Sequence, residues 1–274
     1  MKDTMKKLPH GARTIVTGAG SGFGRAIALE LASRGARVVA SDIDLATAEE
    51  TAAKARAAGG QADALRADVR SADDVKRLVD HADERWGGVD VLVNNAGVAV
   101  VGAVGEVPLE DWRFAIDVNL LGVIHGCHFA VPSMKKAGRG WILNVASAAG
   151  FVSAPYMGPY NVTKAGVIAL SETLRTELEE DGITVSALCP TFFRTNIHKA
   201  QRSPEKLRAA SAKLVENANW TAEGVARAAL RGLEGGSLYI IPQRDGRAIY
   251  HAKRALGSAF YALSGKVARR TTGL

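Results

Sequence analysis

The sequence is poor in the residues that build disulfide frameworks and metal sites. It contains 2 cysteines, Cys127 and Cys189, which form neither a C-x-x-C pair nor any other metal-ligand spacing. The 6 histidines show no such spacing either. Isolated cysteines are typical of a reducing compartment, so we expect two buried thiols, no metal site and a cytoplasmic location.

Long apolar runs are also missing. No stretch of about 20 uncharged apolar residues occurs, and we therefore expect no membrane-spanning helix. Residues 1–7 are charged and lack the apolar segment and cleavage site of a secretory signal. With 47% hydrophobic, 23% charged and only 6% aromatic residues, the composition is that of an ordinary soluble globular protein.

Acidic residues are scarce at the C-terminal end. From Arg244 onwards the chain has 7 basic residues and a single acidic one, Asp245, so this segment carries most of the net charge of +7. A basic surface for nucleic acid more often spreads over the face of a fold. Because the excess charge is confined to the chain ends, we expect no nucleic-acid binding.

Segments rich in β-branched residues alternate with helix-forming segments along most of the chain. This alternation predicts an α/β fold of the Rossmann type, a doubly wound parallel sheet of about seven strands with helices on both faces. We expect one catalytic domain over 1–243 and a basic C-terminal extension over 244–274. The strands are expected at 12–17, 37–41, 61–67, 89–94, 140–146, 183–188 and 238–241, and the helices at 24–34, 44–58, 71–86, 109–137, 157–181 and 221–234.

The C-terminal extension has apolar residues at helical spacing. The pattern predicts an amphipathic helix over about 246–270, with basic flanks. We favour docking of this helix on protein, because it lacks the tryptophan that membrane-surface helices often carry. Contact with an anionic membrane is the alternative. The apolar stripe consists of Ile249, Ala252, Leu256, Phe260, Leu263 and Val267.

A glycine-rich turn lies between the first strand and the first helix. Glycine allows a sharp turn and a close approach of backbone to a pyrophosphate, which the N–H groups of the following helix can bind. The position of the turn between strand and helix is the context that this interpretation requires. The residues expected at the phosphates are Gly18, Ser21, Gly22, Phe23 and Gly24.

Asp42 follows this turn at the end of the second strand. A carboxylate there can accept both hydroxyls of an adenosine ribose, and it repels a 2′-phosphate. The neighbours Ser21 and Ile43 carry no positive charge that would neutralise such a phosphate. Asp42 therefore predicts NAD rather than NADP as the cofactor, unless it only caps the next helix.

A phenol and an ammonium group lie four residues apart, at Tyr160 and Lys164. On a helix these positions share one face. A nearby cation favours the phenolate and lowers the pKa of a phenol, which prepares it for proton transfer. Ser147 lies at the end of a buried strand shortly before, and small residues follow it, so a pocket there stays open.

These elements together resemble the short-chain dehydrogenase/reductase family, in its branch of single-domain proteins. The resemblance covers about residues 10–243, most of the chain, and its motifs stand in the family's order and spacing. They are Thr17-Gly18-x-x-x-Gly22-x-Gly24, Asp42, Asp68-Val69, Asn94-Asn95-Ala96-Gly97, Asn119, Ser147, Tyr160 and Lys164.

The resemblance implies a role for each residue of the reacting centre. Tyr160 would give a proton to a carbonyl oxygen, or take one from an alcohol, and Ser147 would stabilise charge on that oxygen. Lys164 would bind the nicotinamide ribose and lower the pKa of Tyr160. Asn119 would distort its helix and hold a water molecule in a proton relay.

The resemblance also implies further cofactor contacts. Asp68 and Val69 would border the adenine, while Asn95, Ala96 and Gly97 would steady the sheet edge and the cofactor. Pro190, Phe193 and Thr195 would lie near the nicotinamide carboxamide. The family usually has glycine after this proline, and Thr191 stands there instead, which leaves the local backbone open.

The expected substrate pocket is apolar and partly aromatic. Its walls are Val98, Phe151, Tyr156, Met157 and Phe192, with Val100, Val101, Val152 and Phe193 beside them. An apolar secondary alcohol or ketone suits such walls. Two alternatives remain: an NADPH-dependent 3-oxoacyl thioester reductase, and a catalytically silent NAD-binding or scaffold protein.

The helices expected at 109–137 and 157–181 carry apolar residues beyond one core-facing stripe, such as Ile116, Leu120, Val123, Ile168, Leu170 and Leu174. The family resemblance implies that these helices pack against their counterparts in other subunits. We therefore expect a homotetramer or a homodimer.

Overall fold

Seven parallel strands form one sheet in the order β3-β2-β1-β4-β5-β6-β7 in the computed structural model, which describes residues 7–197 and 201–262. All six strand pairings are parallel. The strand order reverses beside β1, where doubly wound sheets bind their ligands. The strands are β1 (Arg13–Thr17), β2 (Arg37–Asp42), β3 (Gln61–Arg66), β4 (Val91–Asn94), β5 (Gly140–Val145), β6 (Ile183–Leu188) and β7 (Tyr239–Ile240).

Helices cover both faces of the sheet, which confirms the predicted fold. The apolar core on one face packs α1, α2 and α9 against the strands, and the core on the other face packs α3, α5 and α7. Strands covered on both sides read as nearly continuous apolar runs, and all residues of β4 are buried. The helices that build these layers are α1 (Gly22–Ser33), α2 (Leu45–Ala57), α3 (Ala72–Trp86), α4 (Leu109–Ile116), α5 (Gly122–Ala137), α6 (Ala149–Val152), α7 (Gly158–Glu177), α8 (Glu205–Glu216) and α9 (Ala222–Glu234).

The helix expected at 109–137 is one helical run with a wider turn inside it. A π-helical segment, Asp117–Leu121, joins α4 to α5. By length and composition alone this run, Leu109–Ala137, is apolar enough to cross a membrane. It packs against α3 and α7 within the fold, as the core helix of a globular domain does.

The C-terminal extension starts as a helix and packs on the body. Helix α10 (Arg244–Leu256) contacts α6. The helix expected over 246–270 is interrupted early, because Gly257 has a φ of 53° and ends it. Ile249, Ala252 and Phe260 are half-buried, whereas Leu256 is exposed. The last two residues of the predicted stripe, Leu263 and Val267, lie outside the described residues.

Candidate active site

The glycine turn follows β1 and begins α1. Gly18 and Gly22 have positive φ angles of 63° and 53°, which residues with a side chain rarely adopt. A Cβ atom at Gly24 would lie 2.1 Å from the carbonyl oxygen of Gly18. The N-cap residue Ser21 makes no side-chain cap hydrogen bond to the first turn of α1, which contains Phe23. The helix N-terminus therefore offers N–H groups and a partial positive charge to an anion.

Asp42 lies beside this turn at the end of β2. Its carboxylate accepts hydrogen bonds from the N–H of Gly20, at 2.9 Å, and from the N–H of Asp44, at 3.1 Å. The N-cap of α2 is Asp44, which accepts from the N–H of Ala46. The interpretation of Asp42 as a helix cap is therefore wrong. Its carboxylate is held at the carboxyl edge of the sheet, next to the exposed Ile43.

Asn95 fastens the end of β4 to the glycine turn. Its amide donates to the carbonyl oxygens of Thr17 and Gly18, at 2.8 and 2.9 Å. The hydroxyl of Thr17 in turn accepts from the N–H groups of Asn95 and Ala96. Both hydrogen bonds of the Asn95 side chain go to backbone carbonyl groups, so this residue fixes the shape of the turn.

Asp68 and Val69 follow β3 at the same edge of the sheet. The guanidinium of Arg70 pairs with the Asp68 carboxylate and holds its pKa below the usual range. Val69 is buried, and its carbonyl oxygen lies 2.9 Å from Nδ1 of His125. This contact gives His125 a structural partner.

Ser147 and Tyr160 meet at the centre of the site. Ser147 follows β5, Tyr160 lies in the first turn of α7, and their side chains are hydrogen-bonded. Burial raises the pKa of Tyr160, and the hydrogen bond with Ser147 opposes that effect. Lys164 was expected to lower this pKa. Its Nζ lies 5.7 Å from the centroid of the Tyr160 ring, and in this structure burial has the larger effect.

Lys164 is a buried cation with 3% of its surface exposed. Its Nζ donates to the carbonyl oxygen of Val145 at the end of β5, at 2.7 Å. Burial lowers the pKa of Lys164 to about 8, and the nearby Cys189 acts weakly against that shift. Within residues 7–197 and 201–262, no carboxylate forms an ion pair with it. A buried lysine without a carboxylate partner is typical of a functional site.

Asn119 lies in the π-helical segment, where the predicted distortion of the helix is present. The N–H of Gly122 bonds to the carbonyl oxygen of Asp117, five residues earlier. The Asn119 amide exchanges two hydrogen bonds with the backbone of Val98, at 2.8 and 2.9 Å, and donates to the hydroxyl of Thr163 at 3.2 Å. Asn119 thus ties the loop after β4 to α7 just behind Tyr160.

Thr191 replaces the usual glycine without backbone strain. Its φ is not positive, so a Cβ atom is tolerated. Its N–H donates to the Gln243 side chain at 3.2 Å, and its hydroxyl to Asp245 at 3.3 Å. The preceding Pro190 accepts a hydrogen bond from Ala148. The substitution therefore joins the strand end to the C-terminal extension.

Phe193 and Thr195 lie over the glycine turn. The Phe193 ring packs edge-on against Phe23, with 6.2 Å between the ring centroids. A Cβ atom at Gly22 would lie 2.8 Å from the Thr195 hydroxyl, so this hydroxyl directly faces the turn. Both residues are placed to touch a ligand that follows the turn.

The expected substrate side is only partly assembled as predicted. Val98, Phe151, Tyr156 and Met157 are half-buried around the reacting centre. Phe192 is 49% exposed. The expectation for Val100 and Val101 was wrong in part, because Val100 is buried beside Arg202 and Val101 lines a separate small cavity.

Two supporting residues were missed by the sequence analysis. Arg25 donates to the carbonyl oxygen of Gly20 and pairs with Glu50, which braces the glycine turn from below. Thr163 links Asn119 to α7 and donates to the carbonyl oxygen of Tyr160. Its position three residues after Tyr160, on the same helix face, is the signal that could have identified it.

The parallel sheet, the glycine turn and the Ser147–Tyr160–Lys164 centre define a nicotinamide-dependent oxidoreductase. A model of the short chain dehydrogenase family matches residues 12–206, and the chain belongs to that family. The predicted family is thereby confirmed.

Several known proteins are similar over most of the chain. A cyclohexanol dehydrogenase from Acinetobacter sp. (strain SE19) is 37% identical, over 71% of this chain and 78% of that protein. A 3-oxoacyl-[acyl-carrier-protein] reductase from Synechocystis sp. is 39% identical, over 67% and 74%. The crystal structure of a short chain dehydrogenase/reductase from Burkholderia phymatum in complex with NAD superposes with a TM-score of 0.85, at 34% identity and over 90% and 95% of the two chains.

Proposed function

We propose that the protein transfers a hydride between NAD(H) and an apolar secondary alcohol or ketone, with Tyr160 as the acid and base. The observation that carries the cofactor choice is the Asp42 carboxylate, held at the sheet edge by the N–H groups of Gly20 and Asp44. A 2′-phosphate brought to this edge would meet a fixed negative charge at short range. The NAD complex of the similar Burkholderia phymatum enzyme supports this choice.

The residues present fit a dinucleotide. A Cβ atom at Gly20 would collide with Thr47 and Asp42, at 2.1 and 2.7 Å, so the turn can be this tight only with glycine. The uncapped first turn of α1 would hold the pyrophosphate, and Asp42 would hold the adenosine ribose. Lys164 would hold the nicotinamide ribose. When bound, the cofactor supplies or accepts the hydride.

The protein's own groups handle the proton. Tyr160 would donate it to the substrate oxygen during reduction and accept it during oxidation, and Ser147 would donate a hydrogen bond to the same oxygen. A raised pKa keeps Tyr160 protonated at neutral pH, which suits the donor role. The half-buried apolar residues around Tyr160, Val98, Phe151 and Met157, suit an apolar substrate. The buried thiols Cys127 and Cys189 support our proposal that the enzyme works in the cytoplasm.

One observation favours a second candidate, an NADPH-dependent 3-oxoacyl thioester reductase. Arg66, at the end of β3, is the register partner of Asp42, and a cation beside the ribose edge can attract a 2′-phosphate. The similar Synechocystis reductase acts, by its name, on such thioesters. The fixed carboxylate of Asp42 makes us place this function second.

The cofactor assignment predicts at least about tenfold tighter binding of NADH than of NADPH, equal to about 1.4 kcal/mol. Fluorescence titration with both cofactors measures it, and a panel of apolar secondary alcohols with NAD, followed by NADH absorbance, measures turnover. Asp42→Ala is expected to remove most of the discrimination. Asp44→Asn is the matched control, because it removes a neighbouring charge and keeps the cap of α2.

Three results decide between the candidates. Equal affinities, or a preference of the wild type for NADPH, contradict the assignment of NAD. Turnover of 3-oxoacyl thioesters with NADPH, lost in Arg66→Ala, establishes the second candidate instead. Binding of NADH without turnover of any alcohol, ketone or thioester indicates the silent NAD-binding protein.

We also propose that the enzyme is a homotetramer or a homodimer. Leu121 at the end of the π-helical segment, Ile124 on α5 and Val162 on α7 are exposed by 37%, 37% and 53%. Exposed apolar side chains on adjacent helices mark an interaction surface. Light scattering at micromolar concentration is expected to show particles of at least twice 28.8 kDa.

Introducing a charged residue on this surface tests which helices form the interface between subunits. Ile124→Glu is expected to weaken the assembly. Leu214→Glu, at an apolar position on α8 that is more exposed (52% against 37%), is expected to leave it intact. A wild-type protein that scatters only as a monomer refutes the assembly. Equal effects of the two variants refute the assignment to α5 and α7.

A further inference from the structure

Helix α6 ends in a way that leaves one of its carbonyl groups without a backbone donor. The last carbonyl groups of any helix lack partners, and for Phe151 the residue four positions on is Pro155, which has no N–H. Ser153 then leaves the helix with a φ of 55°, and Tyr156 follows with a φ of 62°. Residues with side chains adopt such angles only when their surroundings hold them there.

The loop between α6 and α7 spans residues 153–157, and the catalytic domain holds its second half. The amide of Asn161, next to Tyr160 on α7, donates to the carbonyl oxygen of Ala154 at 2.7 Å. The N–H of Gly102 donates to the carbonyl oxygen of Tyr156, also at 2.7 Å. These bonds fix the loop only from residue 154 onwards.

The end of α6 and the first residue of this loop, Ser153, are held by the C-terminal extension. Lys253 on α10 donates from Nζ to the carbonyl oxygen of Phe151, the group that Pro155 leaves unpaired. The Tyr250 ring packs edge-on against the Phe151 ring, with 5.3 Å between centroids. The side chain of Tyr261 forms hydrogen bonds with both Lys253 and Ser153. Three residues of the extension therefore meet the segment that carries Phe151.

This segment adjoins the reacting centre on both sides. The hydroxyl of Ser147 accepts from the N–H of Ala149, the first residue of α6. A Cβ atom at Gly150 would lie 2.7 Å from the backbone of Lys164, so α6 packs directly on α7. A shift of α6 would therefore move the Phe151 side of the substrate pocket.

We propose that Lys253 and Tyr250 are positioning residues that hold α6 and residues 151–157 in place and so determine the affinity of the enzyme for its substrate. The proposal rests on the proposed function, because it assigns the substrate to this side of Tyr160. It gives the extension beyond residue 243 a part in the active site of its own subunit. The hydrogen bonds from Thr191 to Gln243 and Asp245 attach the start of α10 to the segment that follows β6.

Lys253→Met keeps the length of the side chain and removes the donor to Phe151. We expect KM for the alcohol or ketone to rise by about tenfold, while kcat changes by less than about threefold and the affinity for NADH stays unchanged. A charge-assisted hydrogen bond has the energy for such a change. Lys253→Arg, which restores a donor, is expected to recover most of the wild-type KM. Arg244→Met is the control, because it removes an exposed charge from the same helix.

Hydrogen–deuterium exchange of residues 149–157 tests, without any substrate, whether Lys253 and Tyr250 hold α6 and residues 151–157 in place, an arrangement that we call the clamp. We expect faster exchange there in Lys253→Met and Tyr250→Leu, and wild-type exchange in Arg244→Met. Unchanged exchange in Lys253→Met overturns the clamp. Faster exchange with an unchanged KM overturns its role in substrate affinity. A wild type that turns over no apolar alcohol overturns the proposed function, and the exchange result then decides the clamp alone.

Discussion

Replacing Tyr160 by phenylalanine is expected to lower kcat by a factor of about 10² to 10⁴, the usual contribution of a general acid or base. The variant loses only the hydroxyl that is hydrogen-bonded to Ser147, and the ring stays in place beside Lys164. The affinity for NADH is therefore expected to stay within about threefold of the wild type. Steady-state rates with NAD and the best alcohol of the panel, together with NADH titration, measure both quantities.

Tyr156→Phe is the matched control for this experiment. It removes a second hydroxyl from the same side of the pocket, but Tyr156 precedes α7 and lies outside the helix that carries Tyr160 and Lys164. We expect it to keep most of the wild-type kcat. If Tyr160→Phe keeps half of the activity on a true substrate, the proposed proton transfer is wrong.

The raised pKa of Tyr160 also predicts opposite pH dependences for the two directions. Oxidation of an alcohol needs the phenolate as a base, so its rate is expected to rise as pH increases through the alkaline range. Reduction of a ketone needs the protonated hydroxyl, and its rate is expected to fall at the highest pH. Both trends should be absent from the residual activity of Tyr160→Phe.

The elements that the sequence predicts well are those that depend on local chemistry. The glycine turn was placed correctly because positive φ angles and close backbone contacts select glycine residue by residue, as at Gly18 and Gly24. The pairing of Tyr160 with Lys164 follows from helical spacing alone. Strand positions follow from runs of buried β-branched residues between turns.

The parts that could not be predicted depend on contacts between distant segments. The unpaired carbonyl of Phe151 meets Lys253, about a hundred positions away, and no spacing rule connects them. The pKa of Tyr160 was expected to fall because the sequence shows the nearby lysine but not the burial of the phenol. The helical stripe of the extension suggested one long helix, whereas the backbone at Gly257 ends it at Leu256.

Replacing Lys164 by methionine is expected to abolish most turnover and, at the same time, to stabilise the cofactor-free protein. Burial lowers the pKa of Lys164 from 10.5 to about 8, which corresponds to a cost of about 3 kcal/mol for keeping the charge in the folded state at neutral pH. Methionine removes this cost but leaves the carbonyl of Val145 without its donor, at about 1–3 kcal/mol. The net gain is then about 1 kcal/mol, or a few degrees in Tm.

The sign of the effect depends on pH in a defined way. A lysine with a lowered pKa in the folded state destabilises the protein fully below about pH 8, and the penalty disappears as pH rises toward the unfolded value of 10.5. The stability of the wild type is therefore expected to rise relative to Lys164→Met between these pH values. The buried thiols Cys127 and Cys189, whose pKa values are raised to about 12, are present in both proteins, so their own pH effects largely cancel.

Chemical denaturation of both proteins at pH 7 and pH 9.5, without cofactor, measures this difference. Lys135→Met is the control, because it removes an exposed lysine that pairs with Asp181 on the surface and is expected to change stability little at either pH. If the difference in the free energy of unfolding between wild type and Lys164→Met stays constant across this range, burial of Lys164 as a cation has no free-energy cost. If Lys164→Met loses stability and keeps the wild-type affinity for NADH, the role of Lys164 at the nicotinamide ribose is contradicted. A lysine that stays charged despite the cost of burial must be retained for its function.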